Sequence, residues 1–252
     1  MRVGLAVLSV GADPTANLRG LVDLAHQAAD AHVDLVLFPE AAITGLINDD
    51  DPRHDLALGQ PVPGPATEAV GEVARARGLW VGFGLLERAG DGLYDSAVLI
   101  DDRGELQLTY RRVNPQWHGP AAAGGTYRQG TEVPSAETPW GRFVVLLCGD
   151  LFDDGVVAQA RERAPDIVWL PFARCFADGV VDQVRWDRSE MPAYTERVRR
   201  LGATTLMVNY LADGATLPDG GSFGGAFVVS PDGTILAQKP LGEPGLLQTE
   251  LP

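Results

Sequence analysis

An α/β fold with mixed sheets covered by helices is the class this sequence predicts, and three observations predict it. Strand-like apolar runs alternate with helical patterns early and late in the chain. In the middle, strands follow one another with no helix between them, which argues for mixed sheets and against a pure parallel barrel. The 252 residues, 45% of them hydrophobic, are enough for one substantial core. No linker, repeat or low-complexity tract interrupts the pattern, so one domain is expected over 1–252.

The elements follow in order. A strand over 2–9 leads to a helix over 15–31, whose apolar face carries Leu18, Leu21, Val22, Leu24 and Ala25. A strand over 34–39 precedes a helix near 65–77. Strands over 79–87, 94–101 and 105–112 come next, then a loop and a strand over 142–148. A helix over 154–163, a strand over 166–171, a helix near 188–201 and a strand over 204–210 lead to a closing hairpin at 225–239.

Composition narrows the function. A net charge of -14 argues against a nucleic-acid or anionic-membrane surface, because binding phosphates needs clustered cations. Arg161, Arg163, Arg197, Arg199 and Arg200 are interspersed with acids and read as solvated helix faces. Met1-Arg2 leads directly into the short strand-like Val3-Gly4-Leu5-Ala6-Val7-Leu8, which is neither a signal peptide nor a membrane span. Cys148 and Cys175 have no metal-ligand spacing, so no metal or cofactor is expected and a reducing, cytoplasmic compartment is. The histidines, His26, His32, His54 and His118, are scattered and offer no base for a cysteine nucleophile.

Two strand ends carry the chemistry. Phe143-Val144-Val145-Leu146-Leu147-Cys148 is an apolar run that breaks at Gly149-Asp150, which puts a thiol where a strand leaves the sheet. That edge of an α/β sheet is where nucleophiles are displayed. The alternative is a small buried hydrophobe closing the strand. Leu35-Val36-Leu37-Phe38-Pro39-Glu40 likewise ends in a carboxylate, which is costly to bury unpaired. With both strands ending on one edge, Glu40 can act as a general base toward Cys148; a solvated strand terminus or a helix N-cap is the alternative.

With these residues in place, the chain resembles the nitrilase superfamily, the carbon-nitrogen hydrolases, over almost its whole length. The family's glutamate in a Phe-Pro-Glu setting matches Phe38-Pro39-Glu40, and its Cys-x-Asp matches Cys148-Gly149-Asp150. Its lysine in a Tyr-x-Lys setting falls on Tyr110-Arg111-Arg112. Supporting matches are Tyr94-Asp95-Ser96-Ala97, where the family often has Tyr-Asn-Ser/Thr-Ala, Leu170-Pro171, Val208-Asn209, and Gly224-Gly225 before Ser230-Pro231-Asp232-Gly233. The resemblance implies a four-layer α-β-β-α sandwich with two mixed sheets, commonly paired as a homodimer.

It also implies a mechanism. Cys148 attacks the carbon of a small amide, carbamoyl compound or nitrile; Glu40 is base and then acid; and water hydrolyses the thioester. The oxyanion is held by the Gly149 N–H and the Arg112 cation. Arg112 departs from the pattern: the only lysine in the chain is Lys239, and a guanidinium keeps the charge but is planar and effectively never deprotonated. A second family glutamate falls near Ala123, with Glu132 nearby in sequence, and a helix glutamate falls at Arg200. These departures favour a rival reading, a non-catalytic scaffold or binding subunit, while Cys148 and Glu40 favour the enzyme. Acyl transfer to an acceptor other than water is a third reading.

The loop Asn114-Pro115-Gln116-Trp117-His118-Gly119-Pro120 follows Arg112, and Asn114 and Trp117 suit substrate contact; a packed loop anchor is the alternative. Cys175 is placed beside the pocket, with a buried structural thiol as the alternative. Asp150 is expected to be a helix N-cap for the segment after Cys148.

Overall fold

The computed structural model describes residues 1–46, 50–119, 122, 125–212 and 221–251. In chain order the elements are β1 (Arg2–Val7), β2 (Ser9–Val10), α1 (Pro14–Asp30), β3 (Leu35–Leu37), α2 (Pro52–Leu58), α3 (Pro65–Arg77), β4 (Trp80–Ala89), β5 (Gly92–Ile100), β6 (Leu106–Arg111), β7 (Ser135–Thr138) and β8 (Gly141–Val145). After a 3-10 turn at Cys148–Phe152 come α4 (Asp154–Glu162), β9 (Ile167–Phe172), α5 (Gln183–Arg185), a π-helical turn at Trp186–Glu190 and α6 (Met191–Leu201). The chain closes with β10 (Thr204–Asn209), β11 (Leu211–Ala212), β12 (Ala226–Val229), β13 (Ile235–Lys239) and β14 (Gly245–Glu250).

Two six-stranded mixed sheets result, in the orders β14-β1-β3-β4-β5-β6 and β13-β12-β10-β9-β8-β7. Each has a parallel centre, β1-β3-β4 in one and β8-β9-β10 in the other, flanked by antiparallel strands. Alternation along β1 explains the layering. Val3, Leu5 and Val7 face the second sheet, in a core with Phe143, Val145, Trp169 and Phe227, while Ala6 faces Leu21, Ala25 and Val70 of α1 and α3. The α4–α6 region covers the second sheet with Val156, Ala160, Tyr194 and Val198. The order is therefore helix, sheet, sheet, helix, as expected.

Helix ends follow local chemistry. Asp13 caps α1 by accepting from the Thr15 N–H at 2.9 Å, with Pro14 at the first helical position. α6 stops at Gly202, whose φ of 79° suits the left-handed C-cap. Among the described residues no helix is long and apolar enough to cross a membrane.

Several boundaries differ from the expectation. The first strand divides at Leu8, so that β2 pairs with β11 in a separate ribbon. The strand before Cys148 ends at Val145, because Leu146 and Leu147 already turn away, with only the Leu146 N–H still reaching the Trp169 carbonyl at 3.0 Å. β7, α2 and β14 were not anticipated. β14 pairs antiparallel with β1 along Arg2–Val7, joining the two ends of the chain in one sheet.

Candidate active site

Glu40 lies three residues past the last residue of β3, and Cys148 three past the last of β8. Both are at the carboxyl ends of parallel strands, one in each sheet. The Phe38–Ala41 segment crosses β4 at Gly84, whose N–H donates to the Pro39 carbonyl at 3.1 Å. A Cβ on Gly84 would lie 2.6 Å from the Ala41 nitrogen and 2.7 Å from the Glu40 Cα, so any side chain there would push Glu40 out of place. Beyond it, Asn17 of α1 donates to the Ile43 carbonyl at 3.0 Å. Glu40 is 0% exposed, so it is not a solvated strand end, and the next helix, α2, is capped by Asp51.

Cys148 has a φ of 46°, a left-handed conformation unusual for a residue with a side chain and one that strained functional turns adopt. The turn is braced by Asp150, whose buried carboxylate accepts from the Leu147 N–H at 2.9 Å, the Asn114 N–H at 2.8 Å and the Tyr110 hydroxyl at 2.6 Å. This corrects the expected N-cap: Asp150 reaches back to the start of the 3-10 turn, and the N-cap of α4 is Asp153, which accepts from the Gly155 and Val156 N–H groups. Arg197 adds a bond to the Leu151 carbonyl at 2.7 Å.

Burial raises the Asp150 carboxyl to about 6, against the hydrogen bonds from Tyr110, Asn114 and Leu147 and the charge of Arg112. A carboxyl raised on folding binds more protons in the folded than in the unfolded chain, so its contribution to stability grows as pH falls through the window between the ordinary value and about 6. Asp150→Asn replaces one acceptor oxygen with an N–H₂ aimed at a donor. The expected cost is about 1–3 kcal/mol. Urea unfolding should show that deficit widening as the pH falls from about 7 to about 5, because only the wild type gains from the proton.

Arg112 joins the two strand ends. It is 3% exposed, and its Nη1 donates to Glu40 Oε1 at 2.9 Å and to Asp95 Oδ2 at 3.2 Å, while Nη2 donates to the Gln116 carbonyl at 3.0 Å. The same guanidinium packs against the cysteine turn: a Cβ on Gly149 would sit 2.6 Å from Nη2. Burial opposes its charge, but its neighbours Cys148, Glu40, Asp95 and Asp150 outweigh burial and hold it protonated. Glu40 is pushed well above the ordinary carboxylate range, by burial first and then by Cys148 and Asp95, with Arg112 pulling the other way.

Cys148 is half-buried and opens into a cavity of about 320 Å³, whose walls include Arg112, Gln116, Gly149, Arg174, Glu190 and Tyr194. Arg174 donates from Nε and Nη2 to Glu190 Oε2 at 3.1 and 2.8 Å, and Asn209 anchors it by donating to its carbonyl. Glu190 ends the π-helical turn, a type of irregularity often found at functional sites.

Of the candidate residues, Glu40, Arg112, Cys148 and Gly149 come together here. Asn114 stands just behind, holding the Gln116 N–H at 3.0 Å through its side chain while its own N–H binds Asp150. Trp117 does not line this cavity. It is 5% exposed and packs with Leu86, Leu93 and Tyr127, with His118 edge-on, which is the loop-anchor alternative. Cys175 is half-buried and is likewise outside the cavity walls, its neighbour Arg174 taking that place. Glu132 faces a different cavity, of about 490 Å³, alongside Arg111 and Glu87, and lies 4.0 Å from Arg163. Ala123 and Pro120 lie outside the described residues. Arg200 is an exposed partner of Glu196. Among the described residues no group of three His, Cys, Asp or Glu side chains could hold a metal ion.

Sequence reasoning missed Asp95, Arg174 and Glu190 as site residues. Asp95 had a signal, a charged residue inside an otherwise apolar strand; Arg174 and Glu190 had none.

A family model described as carbon-nitrogen hydrolase matches residues 2–252. The chain is 29% identical over 151 residues to a deaminated glutathione amidase of Yersinia enterocolitica, covering 56% of this chain and 52% of that protein. It is 27% identical over 250 residues to the Homo sapiens deaminated glutathione amidase, covering 93% and 71%. A formamidase of Bacillus cereus (strain Q1) is 27% identical over 169 residues, covering 64% and 48%. The chain thus spans about half the length of the first and third of these relatives. Among solved structures, a cysteine-to-alanine mutant of the Nesterenkonia AN1 amidase from the nitrilase superfamily superposes with a TM-score of 0.80 at 25% identity, covering 100% of this chain and 90% of that one. A glutamate-to-leucine mutant of the amidase from Nesterenkonia sp. AN1, with the acetamide moiety of fluoroacetamide added covalently at the active-site cysteine, superposes at 0.79 and 25%, with the same coverage.

Proposed function

Because the chain belongs to the carbon-nitrogen hydrolase family, we propose that it is an amidase-type hydrolase acting on a small amide or carbamoyl compound, or on a nitrile, through a thioester on Cys148. The observation that carries this reading is the half-buried thiol on a left-handed turn, opening into a cavity of about 320 Å³ with the Glu40–Arg112 pair against the same turn. Glu40 takes the thiol proton, sulfur attacks the carbonyl carbon, and the oxyanion is met by the Arg112 charge and the Gly149 N–H. Collapse breaks the carbon-nitrogen bond as Glu40 returns the proton to the leaving nitrogen. Water, deprotonated by Glu40, then attacks the thioester, and the acid departs with the thiol restored. The raised proton affinity of Glu40, set first by burial and then by Cys148 and Asp95, suits a group that must both take and give a proton.

Intact-protein mass after incubation with a panel of small amides and esters tests the reading, an acyl adduct mapping to Cys148 being the expected result. Glu40→Gln is expected to lower turnover by about 10²–10⁴-fold while the protein still folds. Wild-type turnover in that variant would remove Glu40 from the mechanism.

One observation favours a second reading, a binding or scaffold subunit: Arg112 stands at the lysine position and is clamped between two buried carboxylates. A Cys148 inert to iodoacetamide, with no adduct from any substrate, would select it. The reading as a whole takes residues 1–252 as one domain, pairing as a homodimer in the cytoplasm. The exposed apolar Phe152, Val180, Val181 and Val184 support the pairing, and sedimentation as a monomer at micromolar concentration would remove it.

A further inference from the structure

Glu40 and Asp95 reach the site from different strands, yet both carboxyl groups accept from the same nitrogen, Arg112 Nη1. Each spends one oxygen there. The others, Glu40 Oε2 and Asp95 Oδ1, are buried and have no hydrogen-bond donor among the described residues. Arg112 does not supply one: its Nη2 donates to the Gln116 carbonyl, and its Nε, though buried, reaches no acceptor among the described residues. With both carboxyl groups ionised, one guanidinium faces two negative charges in a place where Glu40 and Asp95 have no exposure at all. Like charges sharing a dry site do not both ionise readily. A single proton between the carboxyls resolves both problems, giving one a donor and the other an acceptor and bringing the trio to neutrality.

We propose that Glu40 and Asp95 share one proton in the resting protein, making Asp95 the positioning residue that sets when Glu40 can accept the proton of the Cys148 thiol. The proposal rests on Glu40 as the base of the hydrolysis. The proton balance is simple. In the resting trio the shared proton lies toward Glu40, the carboxyl that burial and the charge of Asp95 hold well above the ordinary range, and it passes to Asp95 as the thiol proton arrives. The thiol proton adds to Glu40, and the pair then holds two. Glu40 passes one to the leaving nitrogen, and the pair returns to one. The other ionisable groups acting on this centre are Cys148 on its turn, Tyr194 of α6, Tyr210 after β10, and Asp150, which acts on Arg112.

Asp95→Asn tests it, because asparagine keeps an acceptor for Arg112 Nη1 and removes the charge. Glu40 must be ionised to take the thiol proton, so losing the negative neighbour that raises it moves the acid limb of Cys148 reactivity to lower pH. The rate of alkylation of Cys148 by iodoacetamide, located by peptide mass with Cys175 as internal control, is measured against pH. The expected limb in Asp95→Asn lies about one unit or more below wild type, which is about tenfold faster alkylation at a pH on the limb. Coincident limbs would overturn the proposal and leave Asp95 as a mere anchor for Arg112.

Infrared spectroscopy gives a second measurement that needs neither turnover nor alkylation. At about pH 8, above the range where Asp150 or an ordinary carboxyl holds a proton, wild type should show a buried protonated-carboxyl stretch that disappears in Glu40→Gln. If Asp95→Asn fails to fold, this comparison decides, and wild type without the band overturns the proposal. A protein that shows the limb shift and the band but hydrolyses no amide keeps the carboxyl pair and loses the amidase reading.

Discussion

Cys148→Ala is expected to lower amide hydrolysis by about 10⁴–10⁶-fold, the range seen when an attacking nucleophile is deleted. The sulfur is the only atom removed, and Cys148 is half-buried on a turn held by Asp150 and Arg197, so the fold has no reason to change. Alanine adopts the φ of 46° with the same strain as cysteine. Initial rates on a substrate found by the adduct screen, with unfolding curves as control, provide the check. A rate within tenfold of wild type would move the nucleophile elsewhere, and an unchanged acyl adduct in the variant would say the same by mass.

Arg112→Ala is expected to destabilise the protein by about 3–5 kcal/mol, the cost of removing one partner from a buried ion pair. Glu40 and Asp95 would both remain without a cation, and the Gln116 carbonyl would lose its donor. The two carboxyls escape that cost only by taking up protons. They would therefore be protonated in the folded variant at pH values where the unfolded chain has released its protons. Stability then falls as pH rises above the ordinary carboxylate range, and the deficit should be larger at about pH 8 than at about pH 5. Urea denaturation at the two pH values measures it. Arg112→Lys keeps the charge and is expected to recover most of the stability, though one ammonium cannot reproduce the planar fork that spans Glu40, Asp95 and the Gln116 carbonyl. A small, pH-independent loss in Arg112→Ala would mean that the buried charges are not coupled as their geometry indicates.

How much was legible in the sequence depended on whether a feature is local. Glu40 and Cys148 could be picked out because each ends an apolar run, and a polar group after a fully buried strand is conspicuous. α1, α3 and α4 could be read from their periodicity, their faces being decided by residues three and four apart. β7 and β14 could not, since Ser135–Thr138 and Gly245–Glu250 are short or half-exposed edge strands with weak patterns, and an edge is defined by its neighbour. Asp95 was visible as a charge in a strand, but its meeting with Arg112 depends on the antiparallel register that pairs Ser96 with Arg111. Trp117 shows the opposite case: an aromatic residue in a loop over a site is equally suited to substrate and to packing, and its packing against Tyr127 and Leu93 is a matter of tertiary position that no local pattern carries.

By itself, then, the sequence determined the alternation of the main strands and helices without β7, α2 and β14, the family its motifs resemble, and the two strand ends that carry a thiol and a carboxylate. These depend on hydrophobic runs and on residue types, which are properties of contiguous chain. Only the tertiary structure decided that Arg112 lies between Glu40 and Asp95, that Asp150 braces the cysteine turn from its far side, and that Arg174 and Glu190 complete the cavity while Trp117, Cys175 and Glu132 do not. Each of those outcomes depends on which strand lies beside which and in what register. A shift of one residue in β6 would turn Arg112 to the other face of its sheet, and with it the charge that holds the two carboxyl groups in place.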